Sequence, residues 1–215
     1  SGPEHYRHPG PGDYAPAMLR RAIALAFAFR LPVHGQGDSL TGPGVSESLA
    51  RYRAERIRDV RYDLHLAVSE ADTAYGRVSL RFQRRRPGDV VVDFRGPALS
   101  RVRVNGRPWD SPDFNGAHLR IPASRTVAGE NRVDIEFAAL VAAAGASIIR
   151  VKDPADGRVY LYTLLVPSDA NQLFPCFDQP DLKGRLTLTL STPPGWTAVG
   201  NGARVRTDST SRGLV

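Results

Sequence analysis

Cysteine is nearly absent. A single residue, Cys176, among 215 excludes an intrachain disulfide framework and a cysteine-rich metal site. Methionine is as scarce, with Met18 alone. No apolar run approaches the ~20 residues that a helix needs to span a bilayer; the run at 22–29 has eight. A stable membrane span is therefore not expected. No glycine-rich phosphate loop follows a strand-like segment, and no internal repeat is present. Acidic residues are outnumbered, 22 against 29 Lys and Arg, for a net charge of +7 and a pI near 10.1. The surplus is dispersed, however. Arginines interleave with Asp and Glu along the chain, and only Arg84-Arg85-Arg86 forms a run, beside the turn pair Pro87-Gly88. This reads as solvated surface, so nucleic acid is not an expected partner.

Turn residues are plentiful, with 20 Gly and 17 Pro. A hydrophobic content of 41% and a charged content of 24% are those of a globular domain with a real core. Residues 1–17 are rich in Pro, Gly and His, without a period, and are predicted to be disordered. His5 and His8 in such an arm have no geometry for a metal. Met18-Leu19-Arg20-Arg21 then leads into the apolar run. Residues 18–30 read either as a secretory signal peptide or as a short amphipathic or disordered leader. The first reading implies a secreted or periplasmic protein, the second a cytoplasmic one. Against the first, Arg30 ends the run early and no small-x-small site follows. Residues 1–45 are thus assigned to leader and linker, and 46–215 to the folded domain.

Ser46 is placed to cap a helix reaching about Arg56, with Glu47 in its first turn. From Ile57 the period changes to two. Val60, Tyr62, Leu64, Leu66 and Val68 alternate with Arg61, Asp63, His65 and Ala67, which predicts a half-buried strand with His65 on its polar face. Further strands are predicted at 75–83, 90–94, 99–104, 118–121 and 133–137, with Asn105-Gly106 as a tight hairpin turn. Residues 138–146, rich in Ala, read as a short helix or a loose crossover. A hairpin is predicted about Asp153-Pro154-Ala155-Asp156-Gly157, and a short strand at 196–199. Tyr160 and Tyr162 share one strand face, which suits core or inter-domain packing. The fold class is all-β, an antiparallel β-sandwich or saddle-like domain behind a disordered or signal-like leader. No segment shows the strand–helix alternation of a parallel sheet.

The most informative stretch is 174–183, Phe174-Pro175-Cys176-Phe177-Asp178-Gln179-Pro180-Asp181-Leu182-Lys183. Pro175 and Pro180 each fix φ and restrain the residue before them. Phe174, Cys176 and Phe177 favour burial. A tucked-in connection follows, ending in a strand in which Leu186, Leu188 and Leu190 alternate with Thr187 and Thr189. Cys176 in this apolar setting reads as a buried inert thiol rather than a nucleophile. Asp178 and Asp181 read as turn-capping carboxylates rather than a catalytic pair.

With Asp169-Ala170 upstream, this stretch resembles the hallmark of the N-terminal domain of M1-family zinc aminopeptidases, and the likeness runs from about Ile57 onward. The resemblance implies a saddle-like β-domain docked on a following thermolysin-like domain. It also implies zinc in the full-length enzyme, peptide substrates and release of their N-terminal residues. No catalytic or metal-ligating residue of that family is found here. The zinc motif His-Glu-x-x-His and the Gly-x-Met-Glu-Asn strand are both missing, so this chain alone is expected to be inactive.

In the family, a Thr-Gln-x-Glu (or Gln) segment ahead of the motif reaches the substrate amine. The matching residues here are Thr163-Leu164-Leu165-Val166. Leu164 and Val166 thus stand at the amide and acid positions, and valine cannot accept a hydrogen bond. Either the amine-binding role is lost or moved, or Asp169 takes it. Asn171 stands where the family has Arg, and Gln179 where it has Glu. Two functions remain open: the front domain of a zinc aminopeptidase, forming the wall of its peptide cleft, or a non-catalytic β-scaffold for protein or peptide binding.

Overall fold

A computed structural model describes residues 40–210 and 213–214. The leader, including His5, His8, Met18 and the apolar run at 22–29, lies outside the described residues. Helix α1 (Glu47–Arg56) begins at Ser46, whose Oγ accepts the Leu49 N–H at 3.2 Å. The cap satisfies one of the backbone donors that a helix start leaves unpaired. Ser46→Ala is expected to lower stability by about 1 kcal/mol. Urea unfolding would show this as a lower midpoint at unchanged slope, and an unmoved midpoint would refute the cap.

Strands β1 (Ile57–Ala67) and β2 (Thr73–Arg84) form a long antiparallel pair. After β3 (Val90–Asp93), strand β4 (Ala98–Val104) turns through Asn105-Gly106 into β5 (Arg107–Pro108). Both turn residues have positive φ, 51° and 78°, as a tight primed hairpin requires. Strands β6 (Asp113–Phe114), β7 (His118–Ile121) and β8 (Gly129–Ala142) follow. Next come the hairpin of β9 (Ile148–Lys152) with β10 (Val159–Thr163), the short helix α2 (Ala170–Leu173) and strand β11 (Gly184–Ser191). A small ladder of β12 (Ser209–Thr210) with β13 (Gly213–Leu214) comes last. The main sheet runs β10-β9-β8-β2-β1-β11, with β4 and β5 attached to β8, and a smaller sheet runs β3-β7-β6. The domain is all-β, as its alternation predicts.

Three expectations need correction. The main sheet is mixed rather than purely antiparallel, because β1 pairs with β11 and β8 with β9 in parallel. Alternation reports the two faces of a strand and carries no information on its direction. Residues 138–142 form no helix; they extend β8, where Ala138 and Ala139 pair with Tyr75 and Ala74. Sheet pairing overrides the helical preference of alanine. Residues 196–199 form no strand, and Val199 lies in solvent. The strand predicted after the motif is present as β11, with Leu186 and Leu188 53% and 48% exposed. They lie beside Tyr62 and Leu64, on the core side of β11, at the sheet edge. Strands β1 and β4 each break their rhythm once without a sequence signal. Asp59 (φ 53°) and Arg101 (φ 46°) sit where the β1/β2 and β4/β8 registers slip, as β-bulges do.

One core is filled from both sheets and from the Pro-Cys-Phe-Asp stretch. Phe82 meets Phe177 edge-on at 5.6 Å, Tyr62 meets Phe174 at 5.5 Å, and Phe94 meets Phe137 at 5.6 Å. Gly76, paired with Phe137, lets that ring fold over the neighbouring strand; a Cβ there would lie 2.4 Å from its Cζ.

Candidate functional site

The loop between β10 and α2 carries the residues singled out ahead of the motif. Leu164 donates its N–H to the Ser147 carbonyl at 3.1 Å and is 56% exposed. Leu165 turns inward against the core. Val166 lies beyond the end of β10, is 77% exposed, and precedes a cis bond to Pro167. Its methyl groups face water, where they offer no acceptor to an amine.

Asp169 is engaged within its own domain. Its Oδ1 accepts from Arg95 Nη2 at 2.7 Å and from Gln172 Nε2 at 2.6 Å. Arg95 also donates Nε–H to Asn171 Oδ1 at 2.6 Å, and its backbone N–H goes to the Asn171 carbonyl. Asn171 in turn donates Nδ2–H and its backbone N–H to Asp178 Oδ2, at 2.6 and 3.1 Å. A polar corner results, linking the end of β3 to α2 and to the motif. Sequence reasoning missed Arg95, which sits 74 residues before Asp169 with no pattern to connect them. The Asp178 carboxylate faces Asn171, while Asp181 is exposed.

Beneath this corner the motif is locked to β3. Asp93 and Cys176 exchange both backbone hydrogen bonds, at 2.8 and 3.0 Å. Phe174, Pro175, Cys176 and Phe177 are buried, whereas Pro180 and Lys183 are exposed. Burial pushes the Cys176 thiol well above its ordinary range, which keeps it protonated and unreactive. The Phe177 N–H is bonded to the Tyr62 hydroxyl oxygen at 2.9 Å, and burial raises that phenol too.

The Asp93 side chain is the hub of a buried polar cluster. It is 2% exposed and accepts four hydrogen bonds. Arg53 of α1 grips both oxygens, His118 of β7 donates from Nδ1 at 2.9 Å, and the Asp178 N–H donates at 2.9 Å. Arg53, wholly buried, also donates from Nε and Nη2 to the Val91 carbonyl. Burial raises the Asp93 pKa. The His118 and Arg53 contacts and the Asp178 N–H outweigh it, so the carboxyl titrates below its ordinary range. Among the described residues no group of three or more His, Cys, Asp or Glu is placed to hold a metal ion. The described residues therefore do not fit a zinc site.

Residues 59–215 match the family description "Peptidase M1 N-terminal domain". The chain belongs to the M1 peptidase family. It is 28% identical over 167 residues to aminopeptidase N of Streptomyces lividans, covering 75% of this chain and 19% of that protein. The structure of native yeast LTA4 hydrolase shares the fold, with a TM-score of 0.62 at 21% identity over 75% of this chain and 26% of that one. So does an M1 zinc metallopeptidase from Deinococcus radiodurans, with a TM-score of 0.58 at 21% identity over 74% of this chain and 37% of that one. This M1 domain thus spans about a fifth of the curated relative and between a quarter and two-fifths of the two solved ones. Among the described residues no helix is long and apolar enough to cross a membrane.

Proposed function

We propose that this chain is the N-terminal β-domain of a zinc aminopeptidase, packing on a following catalytic domain and forming one wall of its peptide cleft. The supporting observation is an apolar band on the outer face of the main sheet. Register puts Tyr75 beside Ala138, Val151 beside Tyr160 and Ile149 beside Tyr162, on the face opposite the buried Val141 and Ile148. Tyr75, Leu140, Tyr160 and Tyr162 are 46–66% exposed, and Leu164 and Val166 continue the exposed apolar sequence toward the motif. Tyr160 and Tyr162 are therefore not core residues, and inter-domain packing accounts for them. A contiguous apolar surface of this kind is characteristic of an interaction site.

The zinc, its ligands and the reacting peptide belong to the following domain under this reading. Here the metal would supply the Lewis-acid chemistry of peptide hydrolysis. This domain contributes shape and the exposed loop at Leu164 and Val166. A second reading, a non-catalytic binding scaffold, is favoured by Val166 itself, which cannot pair with a substrate amine.

The test is to express the full reading frame containing this chain and assay an aminoacyl reporter with and without a chelator. Zinc-dependent cleavage is expected, carried by a His-Glu-x-x-His motif within a domain's length after Val215. Leu140→Glu with Tyr162→Glu should reduce that activity about tenfold, equivalent to about 1.4 kcal/mol of lost docking. It should leave the melting of the 215-residue chain unchanged. A frame without the zinc motif, or full activity in the double variant, would overturn the reading.

A further inference from the structure

His118 is 2% exposed, yet both of its ring nitrogens face oxygen. Nδ1 lies 2.9 Å from Asp93 Oδ1, and Nε2 lies 2.7 Å from the Gly42 carbonyl oxygen. Neither oxygen can donate. A carbonyl has no proton, and Asp93 already takes both Arg53 donors and the Asp178 N–H, so it is ionised. A neutral imidazole has one N–H and would leave one lone pair pressed against another at hydrogen-bond distance. Only the imidazolium satisfies both contacts.

The Gly42 contact reaches residues 40–45, the segment that leads into α1. That segment touches the small sheet a second time, where Asn115 Nδ2 donates to the Thr41 carbonyl at 2.9 Å. Asn115 Oδ1 also accepts the backbone N–H of His118, at 2.8 Å, so both ties start from one turn.

We propose that His118 is a proton-operated latch: as a buried imidazolium it holds residues 40–45 against β7, and loss of its Nε2 proton to solvent releases them. Arg53 from α1 and Asp93 from β3 are the charged groups facing it. Cys176 and Asp178 of the motif stand behind Asp93, and residues 40–45, which carry no titratable side chain, meet the ring through the Gly42 carbonyl. Asp93 opposes loss of the proton, while burial and Arg53 favour it. The hydrogen bond to Asp93 is the largest influence, and the His118 pKa lies above its ordinary value. The sign follows. Because the folded value is raised, the stabilisation is complete below the ordinary histidine range and is lost as pH rises through the raised value. After release the ring keeps its Nδ1–H for Asp93, so the core cluster survives and only the segment lets go.

Nitrogen-15 NMR of the histidine rings in the full chain tests this directly. At neutral pH both His118 nitrogens should read as protonated. On raising the pH, Nε2 should lose its proton with the same midpoint at which the Gly44 amide resonance moves. In His118→Gln, which has one donor group for two acceptors, the Gly44 amide should sit at its high-pH position throughout. One bare ring nitrogen at neutral pH, or a Gly44 resonance that ignores the His118 titration, would overturn the latch. If the variant does not fold, the wild-type titration alone decides.

Discussion

Replacing Asp93 with alanine is expected to destabilise the domain by about 3–5 kcal/mol, as breaking a buried ion pair does. That is a large share of the roughly 5–15 kcal/mol that holds most domains folded. The substitution strands a wholly buried Arg53 guanidinium, removes the acceptor of the Asp178 N–H, and leaves His118 Nδ1 without its partner. The cost therefore comes from groups left unpaired more than from the attraction lost. Arg53→Met combined with Asp93→Leu should cost clearly less than the sum of the two single changes, because neither charge is then stranded.

The same carboxylate makes the domain acid-sensitive. Its folded pKa is depressed, so its contribution is present above the ordinary aspartate value and disappears as pH falls through the folded one. Urea unfolding at neutral pH and at about pH 3 would measure both effects, the lower pH lying just beneath the ordinary carboxylate range. A loss below about 1 kcal/mol for Asp93→Ala would mean that the cluster is better hydrated than its burial implies.

Phe177→Ala should cost about 3–5 kcal/mol, the usual penalty for emptying an aromatic site in a packed core. The Phe177 ring is 4% exposed, sits edge-on to Phe82 at 5.6 Å, and receives the Arg53 guanidinium at 5.6 Å from its centroid. A double-mutant cycle with Phe82→Leu should return a coupling of about 0.5–1.5 kcal/mol for the aromatic pair. Val166→Ser, by contrast, should stay within about 0.5 kcal/mol, as exposed substitutions do. A thermal melt of each variant separates the cases. If Phe177→Ala melted like the parent chain, the motif would not be the keystone that its contacts describe.

Much of the fold was legible locally. The cap at Ser46, the alternation of Val60, Tyr62, Leu64 and Leu66, and the Asn105-Gly106 turn are signals that a chain carries within a few residues. All three appear in the structure as local physics dictates. The candidate loop was legible only as a position. Leu164 and Val166 could be placed ahead of the motif, but not their exposure to solvent. Asp169 could be offered as an amine ligand, but not its engagement by Arg95. The direction of β11 was likewise silent, since an alternating strand looks the same whichever way its neighbour runs.

By itself, then, the sequence determined an all-β domain and its family, through period-two alternation, turn residues and the rare run at 174–183. It also determined that Cys176 could not serve in a disulfide within the chain. Tertiary structure alone decided who meets whom. Arg53 finds Asp93 across 40 residues, and His118 finds Gly42 across 76. Buried polar groups must find partners wherever the topology brings them, and topology is a property of the whole chain rather than of any window within it.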